Sequence, residues 1–277
     1  MLRKTAIVSL VFIFTLFFSV LKAQSYTEIA LKSVEALEQQ KYDEAEQLIR
    51  QALALEPANV KNALLFSNLG LIQRNQEKYD DAIESYTFAL NLTPYSIPVL
   101  LNRAAIYLEL GEVKKSYVDY CLIIDLDSEN IEALLMRAYI NAIRRDYIAA
   151  RIDYKKILSL DENHYNAQLG LATLLQTEKK YKEATEQLTQ MITQHPQDAL
   201  LLLARANVAF DMEQWDMALL DAEEAEKINP ELADIFVLKG EIYIKIDKKH
   251  QAKTNLEQAI LLGFPQVELS DLLKQCK

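Results

Sequence analysis

A small side chain returns every 34 residues along this chain. Ala45, Ala82, Ser116, Ala150, Ala184, Ala218 and Ala252 keep that interval, apart from one step of 37 between the first two. Twelve residues before each stands a second small residue, Ser33, Gly70, Ala104, Ala138, Ala172, Ala206 and Gly240. Three residues before each the column reads Tyr42, Tyr79, Val113, Tyr147, Tyr181, Trp215 and Lys249. A period of this size marks an array in which each unit buries its apolar face on the next. Within one period Leu100, Leu101, Ala104, Ala105, Ile106 and Leu108 follow helical spacing, Gly111 breaks the chain, and Tyr117 to Leu126 resume it. The unit is therefore a pair of amphipathic helices. Small residues at two columns let the paired axes approach closely. Pro57, Pro94, Pro196 and Pro230 fall where second helices must stop, since proline lacks the amide hydrogen of a helix interior.

Glycine usage excludes several classes of activity. The five glycines stand at least 23 residues apart, too far for a phosphate-cradling loop or a dinucleotide fingerprint. No serine has a glycine neighbour, so a nucleophile elbow is ruled out. His164, His195 and His250 fall singly at different registers and offer no metal-ligand pairing. Asp125, Asp127 and Glu129 have a calcium-loop flavour, but Asn130 stands where the glycine is needed and Met136 where the closing acid is needed. The chain is expected to use no metal and no cofactor, and to catalyse nothing. Trp215 shares a column with tyrosines and is expected to pack. A net charge of −10 opposes nucleic-acid binding. Cys121 and Cys276 lie several repeats apart, beyond bridging distance.

Residues 1–23 differ in kind from the rest. Arg3 and Lys4 precede an apolar run from Ala6 to Leu21, and Ala23 offers a small residue at a cleavage edge. This is the layout of a secretory signal peptide, although Leu21 is larger than the cleavage rule prefers and the run also suits an uncleaved anchor. Cleavage would remove three cations, Arg3, Lys4 and Lys22, and no carboxylate, leaving a more acidic chain. The expected location is outside the cytoplasm, periplasmic or secreted, in a bacterial envelope.

Phe66-Ser67-Asn68-Leu69-Gly70, Lys78-Tyr79-Asp80-Asp81-Ala82 and Ala89-Leu90-Asn91-Leu92-Thr93-Pro94 resemble the consensus of the tetratricopeptide repeat (TPR) family. In this register the repeats are 26–59, 63–96, 97–130, 131–164, 165–198, 199–232 and 233–266, with 267–277 as a capping helix. The resemblance implies an all-α, right-handed superhelical solenoid of about seven repeats. It also implies an interaction scaffold that binds a partner protein or peptide along the concave face of its first helices. Carried over by register, that face includes Asn68, Leu71, Leu101 and Asn102, then Leu135, Met136, Tyr139 and Leu169, with Leu203 and Asn207 further on. Leu135, Met136 and Tyr139 would serve equally as packing between helices. Apolar anchors dominate, and Glu38, Glu109, Glu132, Asp211, Asp234 and Glu241 outnumber Arg74 and Lys245, which favours a basic partner segment. Asn102-Arg103-Ala104 resembles the family members that clamp heat-shock chaperone tails. The registers that would supply basic residues around Asn102 hold Ser67, Leu71, Glu132 and Met136, so no such clamp is expected. A structural subunit of an envelope assembly, making permanent contacts through array ends and faces, is the alternative function.

Sixteen residues separate Arg103 from Asp119, Arg137 from Asp153 and Arg205 from Asp221, while the fifth repeat has Leu171 and Gln187 instead. Joint presence and joint absence predict an ion pair between the two helices of those repeats. Val60, Lys61 and Asn62 are surplus to the period, and form either a longer turn or a hinge. Gly170, at a face-lining register, is expected to leave a gap in the groove floor.

Overall fold

A computed structural model describes residues 25–276, and every regular element among them is a helix. The expected signal or anchor segment, residues 1–23, lies outside the described residues. Among those described, no helix is long and apolar enough to cross a membrane. The chain divides into two compact units, Met1–Ala133 and Leu134–Lys277. The first holds α1 (25–38), α2 (Tyr42–Leu55), α3 (Asn62–Asn75), α4 (Tyr79–Leu92), α5 (Ile97–Glu109) and α6 (Val113–Leu126). The unit boundary falls within α7 (Ile131–Ile143). The second unit continues with α8 (Tyr147–Leu160), α9 (Tyr165–Thr177), α10 (Tyr181–Gln194), α11 (Ala199–Asp211), α12 (Trp215–Ile228), α13 (Ala233–Lys245), α14 (Lys249–Leu261) and α15 (Ser270–Gln275).

Odd-numbered helices up to α13 are the first helices of their pairs, and even-numbered ones the second. The small columns sit at the crossing of each pair. Ala45, Ala82, Ala150, Ala184, Ala218 and Ala252 are wholly buried, and Ser116, alone polar among them, donates its hydroxyl to the Ala104 carbonyl at 2.9 Å. Where a crossing has glycine, a large ring or branched side chain takes the space. A Cβ on Gly70 would stand 2.7 Å from Tyr86 Cε1, and one on Gly240 2.6 Å from Leu256 Cδ2. Gly170 obeys the same rule, contrary to the expected gap: the Tyr154 ring of α8 fills the place of its missing side chain, with Cε1 2.7 Å from where a Cβ would be.

The turn inside each pair has one geometry. Gln40, Glu77, Gly111, Arg145, Lys179, Glu213 and Asp247 all take positive φ, between 57° and 74°. The next residue in every case donates its amide to the carbonyl five residues back, as Lys78 does to Gln73 at 2.8 Å and Lys180 to Leu175 at 2.8 Å. This is the left-handed helix stop that glycine usually fills. Six of the seven positions use an ordinary residue and carry its backbone cost.

Arg103, Arg137 and Arg205 each meet their aspartate side-on with two parallel hydrogen bonds, from Nε and Nη2. Arg137 Nε and Nη2 lie 2.9 and 2.7 Å from the Asp153 oxygens, and the other two pairs repeat this between 2.8 and 2.9 Å. The aspartates are buried and the arginines half-buried. The guanidinium can reach a third helix as well: Arg103 Nη1 donates to Thr87 Oγ1 and Arg205 Nη1 to Thr189 Oγ1. In the fifth repeat Leu171 is buried instead, and Gln187 donates to the Gln168 carbonyl. The seventh places Lys239 at the arginine register, paired at 2.5 Å with Glu226 of the preceding repeat.

The three surplus residues do two things. Val60 and Lys61 form a turn, and Asn62 opens α3 with its side chain fully buried. Its amide donates to the carbonyls of Glu56 and Pro57, and its oxygen accepts from the Tyr26 hydroxyl at 2.9 Å. At the other end the cap differs from the expected helix over 267–277. Gly263, at φ 97°, and Pro265 interrupt the chain, Leu269 is buried against the last pair, and only Ser270–Gln275 are helical.

Two stability outcomes are expected. Arg137→Leu, which strands the buried Asp153 carboxylate, should cost about 3–5 kcal/mol, and adding Asp153→Leu should recover much of it; thermal melting of the single and double variants reads this, and equal losses would remove the coupling. Lys179→Gly should stabilise by about 0.5–1 kcal/mol and Gly111→Ala, with open space around the added methyl, should destabilise by a similar amount; urea midpoints measure both.

Candidate interaction faces

First helices carry two apolar stripes. On α3, Leu65, Leu69 and Ile72 are buried inside the helix stack, while Leu64, Ser67, Asn68, Leu71 and Arg74 recur at helical spacing on another side and stay partly open. Leu64 is 60% exposed. On α5 the equivalent positions Leu101 and Asn102 are half-buried. In the second unit Leu135 and Met136 of α7 and Leu169 of α9 are half-buried, and Tyr139 is 49% exposed. Leu203 departs from expectation: it is buried in the core of the last repeats, and Asn207 donates to its carbonyl. The Leu135, Met136 and Tyr139 trio thus packs in part and remains open in part.

The open face of the first unit runs into a cleft of about 840 Å³ at the amino-terminal end of α3. Val60, Leu64, Pro94, Tyr95 and Pro98 line it, with Lys61 its one charged residue. Val60 is 73% and Tyr95 70% exposed. The insertion builds one wall, so the surplus residues shape a surface as well as a junction.

Polar groups on these faces are mostly engaged. Asn102 accepts from Arg74 Nη1 at 3.2 Å and donates to the Pro98 carbonyl at 2.9 Å. The Tyr79 hydroxyl donates to Glu109 and Gln176 to Asp211. Glu241 of α13 is half-buried, and burial pushes its carboxyl above the usual range, with Lys245 opposing. Two groups stand out from this pattern. Arg74 is half-buried and makes no ion pair among the described residues, its one hydrogen bond being to Asn102. The Tyr86 hydroxyl is fully buried with no hydrogen-bond partner. Burial pushes the Tyr86 and Tyr120 phenols up to about 12, with Arg74 pulling each the other way, so the guanidinium lies within electrostatic reach of both. Tyr86, Tyr120 and Tyr154 recur at the 34-residue interval, but the interval gives no sign that Arg74 lies near the first two. Among the described residues no group of three or more His, Cys, Asp or Glu side chains is placed to hold a metal ion.

Residues 31–97 match the tetratricopeptide repeat family model, and residues 154–275 match that of a tetratricopeptide repeat-like domain. A tetratricopeptide repeat protein from Parabacteroides merdae, of known crystal structure, is 33% identical, with the likeness covering 91% of this chain and 99% of that one at a TM-score of 0.78. DnaJ homolog subfamily C member 7 of Homo sapiens is 34% identical over 87 residues, which are 31% of this chain and 18% of that protein. Mitochondrial import receptor subunit TOM34 of Homo sapiens is 31% identical over 108 residues, 37% of this chain and 35% of that protein. The chain therefore spans between about a fifth and a third of the length of these two curated relatives. Helix pairs at a 34-residue period, the buried small columns and a likeness running along almost the whole chain have one meaning: the protein belongs to the tetratricopeptide repeat family.

Proposed function

We propose that this chain is a non-catalytic interaction scaffold, exported to a bacterial envelope, that holds a segment of a partner protein against the open faces of its first helices. The observation that carries the reading is the second apolar stripe. Burying a leucine side chain is worth about 1.5–3 kcal/mol, so a stack whose interior is already filled has no internal use for Leu64, Leu71 and Tyr139 left open. Side chains of this kind supply anchors for a segment laid along the helices. Arg3, Lys4 and the apolar run to Leu21 support export, and the likeness to a Parabacteroides merdae protein is in keeping with a bacterial source.

A structural subunit of an envelope assembly is the second reading, and one feature favours it. Second helices expose large apolar side chains at a shared register, Val118 at 63%, Ile152 at 62% and Leu220 at 60%.

Photocrosslinking in the native host tests both. With a photoreactive residue at Leu71 or Tyr139, a discrete adduct with an envelope protein is expected, and Leu135→Asp should weaken the one at Tyr139. Adducts arising only from Val118 or Ile152, together with a defined oligomer in light scattering, would favour the assembly. The intact mass of the exported form should begin at Gln24; a mass beginning at Met1 would mean a retained anchor.

A further inference from the structure

The open face of α3 ends on a positive charge, Arg74 in its last turn, that the acidic composition does not suggest. Its carboxylate neighbours are committed or set aside: Glu109 accepts from Tyr79, and Glu132, which raises the Tyr120 phenol from the side of α7, is exposed to solvent. Arg74 nevertheless has no acid to pair with, in a chain holding 40 acidic residues. Beneath it the Tyr86 ring crosses α3 at Gly70, one turn before Arg74. Packing explains the Tyr86 ring, which fills the space at Gly70, but not its hydroxyl: a phenylalanine would pack there equally without leaving a buried donor unpaired.

The geometry points to a carboxylate-recognition site in which the Arg74 guanidinium and the Tyr86 hydroxyl receive an acidic side chain of the partner segment. This deepens the groove reading and rests on it. The guanidinium offers donors in a planar fork, and the Tyr86 hydroxyl, buried and without a partner, is a further donor for an anion. The site is separate from the chaperone-tail clamp, whose registers here hold Ser67, Leu71, Glu132 and Met136. Because Tyr86 is wholly below the surface, the carboxylate must reach inward on a side chain, and glutamate reaches further than a chain terminus lying along the face.

The cleft fixes a second coordinate. Leu64 and Arg74 are ten residues apart on one helix, about 15 Å at 1.5 Å per residue. An extended segment covers that in about four or five residues. The partner segment therefore carries an apolar residue for the cleft at Leu64 and Tyr95 and, four or five positions away, a glutamate for Arg74. It is locally acidic, where the count of charges along all first helices favours a basic one.

Fluorescently labelled decapeptides with amidated C-termini, a leucine and a glutamate set at graded spacings in a serine–alanine background, test this by anisotropy against the full chain. Binding should peak at a separation of four or five, and glutamine for glutamate should weaken it by about tenfold. Arg74→Gln should erase the preference for glutamate while leaving leucine-dependent binding, and Arg74→Lys should keep part of it. Tyr86→Phe should weaken the glutamate peptide severalfold without lowering the melting temperature, which a structural hydroxyl would not allow. A preference for lysine over glutamate, or one for glutamate that survives Arg74→Gln, overturns the site but not the groove. Absence of binding by every peptide also overturns the site, and the groove then stands or falls on the crosslinks at Leu71 and Tyr139.

Discussion

Close approach of two helix axes at a small side chain is the constraint from which the rest of this structure follows. At each crossing the backbone of one helix lies against the other, so the register of every remaining residue is set by the position of an alanine, serine or glycine. The larger neighbours then have fixed places. Tyr86 lies over Gly70, Tyr154 over Gly170 and Leu256 over Gly240, each filling what a Cβ would have occupied. Close packing of this kind leaves no room for adjustment, which is why the period holds to the residue along most of the chain.

Polar groups are arranged around those crossings and not through them. Arginine–aspartate pairs tie the two helices of the third, fourth and sixth repeats, and Arg103 and Arg205 extend to a threonine of the preceding repeat. Repeats five and seven show what replaces the pair when it is absent: an apolar contact at Leu171 in one, and a lysine redirected to Glu226 in the other. The pair is thus a way of fixing relative helix position that the fold uses where it has the residues, and it is dispensable where packing suffices. That is the behaviour expected of a buried ion pair, whose desolvation consumes most of its attraction.

Helices, turns and ion pairs were legible in the sequence because each is local or is repeated at a constant interval. Ala150, Asp153 and Arg137 announce their roles by recurring. Features that occur once were harder to read. Gly170 gave the same one-letter signal as an open gap, and only the placement of the Tyr154 ring distinguishes the two. Asn62 looked like surplus length, yet it is a buried amide bonded to three residues. Arg74 was visible as a charge, but its lack of an acid depends on where 40 carboxylates come to lie, and no spacing rule reports that. The cap is shorter than the apolar pattern suggests, because residues 266–269 form a turn that buries Leu269 and the helix begins only at Ser270.

The left-handed turns have a consequence for how such a chain changes over time. Six of the seven use Gln, Glu, Arg, Lys or Asp where glycine would be more comfortable, and every turn closes the same six-residue loop of backbone. Since the strain and its compensation are contained within one repeat, duplicating or deleting a 34-residue unit leaves the turns of all other units as they were. Array length is then free to drift at any junction whose contacts are of the repeated kind. The junction after Glu56 is different, because Asn62 binds across it to Tyr26, and a change of length there would have to rebuild a buried network at the same stroke. The junction between the first two repeats is accordingly held by a buried polar network as well as by packing.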